Sequence, residues 1–238
     1  TSPAQGVLGT TTLPLTFAAE PSAGSIFSRA YYGTLDEVRF WRVARSAQEV
    51  QANYVLRLNG SEPGLAGLWT FNDANATFAV DGSINAVNAA AAPGMSLFNR
   101  VEGVTLGEPL LASYTIAFNG VNQAATIADD PAFAGFTSMT IEAWIKPLEL
   151  PGAEFMDIVM KGAAGYGLAI DKDLHLRYLI DINPTHALSS TGVVTLGEWN
   201  HVAVVVNGAT KTTTFYINGQ VAGTANSAVI TSSPGALV

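Results

Sequence analysis

Cysteine is absent from all 238 residues. Disulfides, thiol catalysis and cysteine-ligated metal are excluded with it. Secreted and cytosolic proteins both tolerate that absence, so the compartment stays open. Charge is scarce too: 13% of residues are charged, against about 25% in an ordinary globular chain. Positive charge is the scarcer sign, with 11 Lys and Arg against 19 Asp and Glu and a net charge of -8. An acidic chain without a basic cluster argues against nucleic acid or an anionic membrane as partner. No apolar run approaches transmembrane length, so membrane insertion is not expected. Thr1-Ser2-Pro3 carries no initiator Met, basic n-region or h-region. The chain therefore reads as a processed product or an excised segment without a signal peptide. Ala, Thr, Val, Gly and Ser replace the missing charge, and so weakly charged a surface points to contacts that cover it, including copies of itself.

What is present is alternation. In residues 136–144, Met139, Ile141 and Ala143 fall on one parity, and Thr140, Glu142 and Trp144 on the other. Period two is the signature of a strand. Residues 199–206 and 213–221 answer it, and Asn218-Gly219 marks a hairpin because both positions tolerate positive φ. These three stretches read as one sheet. Residues 31–41 alternate as well, with Leu35, Glu37, Arg39 and Trp41 on one parity and Asp36, Val38 and Phe40 on the other.

Further strands are expected at 13–17, 65–71, 114–118, 124–127, 157–161, 166–170 and 174–179. Residues 18–29, 72–92 and 184–192 read as loops. Ser46-Ala47-Gln48-Glu49 is a capping box. The apolar series Val50, Tyr54 and Leu58 follows it at helical spacing, and Asn59-Gly60 reads as the stop of this one short helix. Many short strands at regular spacing predict an all-β fold, a two-sheet antiparallel β-sandwich or jelly roll.

The ordered segments Ile116-Ala-Phe-Asn-Gly-Val-Asn-Gln-Ala-Ala-Thr-Ile127, Met139-Thr-Ile-Glu-Ala-Trp-Ile-Lys-Pro147, Ile158-Val-Met-Lys-Gly162, Tyr166-Gly-Leu168, Gly197-Glu-Trp-Asn-His-Val-Ala-Val204 and Phe215-Tyr-Ile-Asn-Gly-Gln220 resemble laminin-G-like domains. Those belong to the concanavalin A-like lectin/glucanase superfamily. The order at the ends departs from such a module. Gly33-Thr-Leu-Asp-Glu-Val-Arg-Phe-Trp41 and the helix normally come last, and Leu65-Ala-Gly-Leu-Trp-Thr-Phe71 normally comes first. Residues 1–60 thus resemble the closing strands and helix of a module, and 61–238 its opening and central strands. Three arrangements fit: a circular permutant, one period of a tandem array with adjacent repeats as partners, or a subunit whose residues 1–60 complete a neighbouring copy head to tail.

The resemblance also supplies sites. Asp81-Gly-Ser-Ile-Asn85, with Asn88, is similar to the family's calcium loop, with Ile84 where glycine is usual. Asp36 joins Asp81, Asn85 and Asn88 as the implied Ca²⁺ ligands, since hard oxygen donors on loops suit that ion. The alternative is that Asp81 and Asn85 cap turns. Glycan binding would use Tyr31, Tyr32, Trp144, Tyr166 and Tyr178, whereas Trp41, Trp69 and Trp199 read as core. Glucanases of the superfamily need paired carboxylates on one strand. Glu142 is followed by Ala-Trp-Ile, Asp171 and Asp173 read as turn acids, and His201 as a structural residue, so no catalytic residue is expected. Asn59-Gly-Ser61 and Asn75-Ala-Thr77 are glycosylation sequons. The reading is a non-catalytic, extracellular or cell-surface adhesion or structural module, repeated or self-assembling into a filament. The runner-up is a calcium-dependent carbohydrate-binding module of a secreted glycoside hydrolase.

Overall fold

Side chains that alternate along a strand can bury one face of a sheet against another, and this chain does so twice. In the computed structural model, residues 11–19, 29–73, 77–92, 99–104, 114–152, 154–162, 165–180 and 187–226 are described. Among them two antiparallel sheets of eight strands each pack face to face.

The front sheet holds β2 (Tyr32–Trp41), β3 (Leu65–Trp69), β6 (Asn99–Glu102), β7 (Tyr114–Asn119), β9 (Met139–Pro147), β14 (Asn200–Asn207), β15 (Thr212–Ile217) and β16 (Gln220–Ala225). Its order is β16-β15-β14-β9-β2-β7-β6, with β3 also paired to β2. The back sheet holds β1 (Leu15–Phe17), β4 (Phe78–Ala79), β5 (Ala89–Ala91), β8 (Ala125–Ile127), β10 (Phe155–Lys161), β11 (Gly167–Asp171), β12 (His175–Leu179) and β13 (Leu188–Val193). Its order is β13-β12-β11-β10-β1-β8-β5-β4.

The expected parity holds in β9 and β14. Met139, Ile141, Ala143 and Ile145, with Val202, Val204 and Val206, face the core between the sheets. Tyr31, Phe40, Trp69, Phe133, Tyr166 and Tyr178 fill the same core. The hairpin turn also holds: Asn218 and Gly219 both adopt positive φ, 50° and 73°, the pairing that joins β15 to β16 in the native right-handed twist.

In β2 the expected parity breaks. Asp36 pairs with Trp144 but Arg39 pairs with Glu142, so β2 has one residue more than β9 across this interval. Glu37 takes the left-handed conformation there, with φ 48°. This bulge turns Leu35 onto the same core face as Val38 and Phe40, and Arg39 onto the outer face; such insertions redirect side chains.

Neither β1 nor β2 sits at an edge. β1 lies between β10 and β8, and β2 between β9 on one side and β7 and β3 on the other. β1 and β2 therefore occupy an interior position, one in each sheet of their own chain. The opposite margin of the sandwich is drawn together at β13 and β16, where Thr191 donates to the Ala222 carbonyl at 2.9 Å.

Helix α1 (Ala47–Asn53) begins in the expected capping box, with Ser46 and Glu49 bonding each other's backbone amides. It ends earlier than expected, at Tyr54, because the carbonyls of Asn53 and Leu56 are taken by the Arg39 guanidinium at 3.0 and 2.6 Å. Three strands lie where loops were expected, β4 and β5 within 72–92 and β13 (188–193) over most of 184–192, and β6 at 99–102 lies where no element was expected. They are short, and β5 (Ala-Ala-Ala) and β13 (Leu-Ser-Ser-Thr-Gly-Val) carry little of the β-branched and aromatic content that marks a strand. The Asn75 sequon, most of the 18–29 loop, residues 1–10 and the tail from 227 lie outside the described residues.

Candidate functional site

The loop expected to bind calcium is built around Asp81. Its Oδ1 accepts from the amides of Leu68 and Ser83 at 2.9 and 2.8 Å, and its Oδ2 from the Ser83 hydroxyl and the Val87 amide, both at 2.9 Å. Asn88 Oδ1 accepts from the Asp81 amide, and Asn85 Nδ2 donates to the Ala66 carbonyl. Asp36 stands elsewhere: Trp69 pairs with Val38 on one side and Asp81 on the other. The Asp36 carboxylate accepts from the Glu37 and Val104 amides. Four donors saturate the Asp81 oxygens, whereas Ca²⁺ takes six to eight oxygen ligands. The arrangement therefore does not fit that ion, and the carboxylate works as a brace that holds β3 to the 81–88 loop.

The five aromatic residues expected at a glycan site separate into two groups. Tyr31, Tyr166 and Tyr178 are fully buried core side chains and offer no ring face to a ligand. Tyr166 donates to the Phe133 carbonyl at 2.9 Å inside that core. Tyr32 is half-buried at the margin of the core. Trp144 retains 9% exposure and lies on the opposite face of the front sheet, stacked on Tyr54 at 6.1 Å. Trp69 and Trp41 are buried as expected. Trp199 is not: it is half-buried in the small cluster with Trp144, Tyr54 and Val104. Asp171 is a turn acid, accepting from the Asp173 and His175 amides at 2.9 Å.

The most concentrated chemistry lies on the outer face of the front sheet, beneath residues 42–58. The bulge in β2 puts Arg39 there, and the alternation of β9 and β14 adds Glu142 and His201. All three are at most 1% exposed. Glu142 Oε1 pairs with Arg45 Nη1 at 3.3 Å and Oε2 with His201 Nε2 at 3.2 Å. Arg39 Nη2 pairs with Glu37 at 3.2 Å. The same side chains hold the covering segment by its backbone. Arg39 binds the Asn53 and Leu56 carbonyls, and Arg45 binds the Glu49 carbonyl. Trp144 Nε1 donates to the Tyr54 carbonyl at 3.0 Å, and Thr140 donates to the Val43 carbonyl at 2.9 Å. The Arg45 guanidinium stacks 3.9 Å over the Trp41 ring. Val50 of α1 packs on Ala203, Val205 and Tyr216.

Electrostatics follow from this burial. Desolvation alone would raise the Glu142 carboxyl, but the His201 hydrogen bond and the charges of His201, Arg39 and Arg45 outweigh it, and the group is held below 4.5. Burial pushes His201 below 6.5 despite Glu142. Burial raises Glu37 above 4.5 against Arg39. At neutral pH, then, a neutral imidazole donates from Nε2 to a carboxylate already paired with Arg45. A lone carboxylate saturated in this way is a structural anchor; retaining or inverting sugar hydrolysis requires a second carboxyl facing it. Glu142 and His201 are visible in the sequence as outward-parity residues. Arg39 and Arg45 gave no such signal, because the bulge that aims one and the covering segment that carries the other are tertiary features. Among the described residues, no group of three His, Cys, Asp or Glu side chains is placed to hold a metal ion.

A two-sheet antiparallel sandwich with a helix strapped over one outer face is the architecture of a lectin-like binding module. The family model described as the concanavalin A-like lectin/glucanases superfamily, in its laminin-G-like form, matches residues 119–237, and the chain belongs to that superfamily. No curated protein and no solved structure matches the chain. Laminin-G-like domains are in general non-catalytic binding modules, lectin-like or adhesive, and are typically extracellular. Among the described residues no helix is long and apolar enough to cross a membrane.

Proposed function

We propose that the chain is a non-catalytic extracellular or cell-surface module for adhesion or structure, and that it joins copies of itself head to tail by exchanging its closing strands. The observation behind this reading is the interior position of β1 and β2. Without residues 1–60 each sheet would have a gap beside a central strand, β9 in front and β10 behind. Such a gap exposes unpaired backbone and core side chains together. The same segment from a second copy makes the same pairs and refills the same core. Exchange of an identical element is a low-cost route to association, and a one-way donation that does not close on itself builds a filament.

Negative-stain electron microscopy with light scattering on the purified chain tests this. Head-to-tail chains whose length grows with concentration are expected. A monodisperse single-chain mass at high concentration overturns the assembly reading. Glycan-array binding by that monomer would favour a carbohydrate-binding module instead.

A further inference from the structure

We propose that His201 and Glu142, buried beneath residues 42–58, form an acid-sensitive latch that holds this segment to the front sheet and so governs release of the closing strands. The proposal rests on the exchange reading above, since residues 42–58 continue directly from β2 and must lift before β2 can leave.

The geometry makes the latch one-sided. His201 Nε2 meets Glu142 at 3.2 Å, while Nδ1 is buried with no hydrogen-bond partner among the described residues. A second proton would have to sit on Nδ1, of an imidazole whose ring centroid lies 5.3 and 5.7 Å from those of Tyr54 and Trp144. An unmatched buried N–H that also carries charge is costly. Two further cations already lie in the cluster. Arg39 and Arg45 each bind a carboxylate, and both disfavour a charged His201. Lifting residues 42–58 exposes the imidazole to water and carries Arg45 and Tyr54 away, which removes the burial and Arg45 penalties while Arg39 stays on β2.

Every element packed on the cluster contributes a charged or titratable group: β2 gives Glu37 and Arg39, the covering segment Arg45, Glu49, Tyr54 and Arg57, β9 Glu142, β14 His201, and β15 Tyr216. Between the open-state imidazole value and pH 5, His201 is the group whose protonation favours opening. Glu142 adds to it only below 4.5, the ordinary carboxyl value. Glu37 acts in the opposite sense, because its raised value favours the closed state on acidification.

Hydrogen exchange on the full chain, at about pH 7.5 and about pH 5 on either side of the ordinary imidazole value and corrected for intrinsic rates, reads the latch directly. The backbone amides of residues 47–56 are expected to lose protection by about tenfold per pH unit below the open-state value, the linkage of one proton, while β14 keeps its own. Equal loss in β14, or no loss at 47–56, overturns the latch. His201→Gln, which keeps an Nε2-like donor to Glu142 and cannot titrate, is expected to abolish the effect; an unchanged effect overturns it. An NMR titration of His201 in the unaltered chain tests the same point without a variant, and a titration at or above the ordinary value of 6.5 is inconsistent with a closed latch. Light scattering on the same samples separates the two readings. Acid-loosened residues 47–56 in a chain that stays monomeric uphold the latch and overturn strand exchange. Assembly at equal rate at both pH values, with 47–56 protected throughout, overturns the latch and leaves exchange standing.

Discussion

The Phe17 ring stands edge-on to Trp69, with centroids 5.0 Å apart and planes at 74°. Phe17 belongs to β1 of the back sheet and Trp69 to β3 of the front sheet, so this contact joins the two sheets inside one core. Both residues are fully buried, and Phe17 also meets Phe71 at 6.3 Å. Phe17→Ala leaves a cavity where all three rings meet, and a loss of about 3–5 kcal/mol is expected. Denaturant unfolding followed by tryptophan fluorescence measures it; a loss well under 1 kcal/mol would show that β1 contributes little to this core.

Acid should weaken the fold in two stages. His201 is held below 6.5 in the folded chain, so the unfolded chain binds its proton first. Stability is then full above 6.5 and falls from there until the folded-state value is passed. Glu142 is held below 4.5, so its contribution is present above 4.5 and is lost as pH falls through its folded-state value. Glu37 is raised and adds stability as pH falls towards 4.5, softening the first stage. Melting temperatures across this range are expected to be level above neutrality, to decline gently below 6.5 and to drop steeply below 4.5. His201→Gln should remove the first decline, and a profile identical to that of the unaltered chain would falsify this assignment.

Asp81 accepts four hydrogen bonds from three residues, Leu68 of β3 and Ser83 and Val87 of its own loop. Asp81→Ala orphans the Leu68, Ser83 and Val87 amides, and each unmatched buried donor costs about 1–3 kcal/mol. A destabilisation of about 3 kcal/mol or more is expected, equal with and without calcium. Addition of Ca²⁺ to the unaltered chain should leave its melting temperature unchanged. A calcium-dependent rise that Asp81→Ala abolishes would restore the ion to this loop.

Gly67 lies under the Trp69 indole: a Cβ there would sit 2.3 Å from the ring. Trp69 touches Phe17 and Phe133 in the core, so the ring has no room to yield. Gly67→Ala is expected to cost about 1–3 kcal/mol by overpacking. Near-ultraviolet circular dichroism should report a displaced indole, and an unaltered spectrum at full stability would mean that the ring relocates freely.

Much of the front sheet was legible because Met139, Ile141, Ala143, Val202, Val204 and Val206 follow a strict period of two and each residue's neighbours agree with it. The Asn218-Gly219 turn and the Ser46–Glu49 capping box were legible for the same local reason, since each depends on φ preferences or bonds spanning a few residues. The sites were not. Tyr31, Tyr166 and Tyr178 are tyrosines that the core absorbed, and nothing local separates a buried tyrosine from a ligand-binding one. Asp81 looked like a metal ligand because a carboxylate that braces a loop and one that binds calcium need the same sequence.

The sequence by itself determined that the chain is an all-β sandwich of the laminin-G-like kind, and where its helix and its best hairpin begin. Those features rest on periodicity, turn chemistry and motif order, which are written along the chain. Only the tertiary structure decided that β1 and β2 enter the middle of two different sheets, that a single extra residue at Glu37 turns Arg39 outward, and that residues 42–58 close over Glu142 and His201. Each of these depends on groups far apart in sequence meeting across strands, and the energy that selects them, burial of charge against paired charge and of ring against ring, exists only once the sheets have formed.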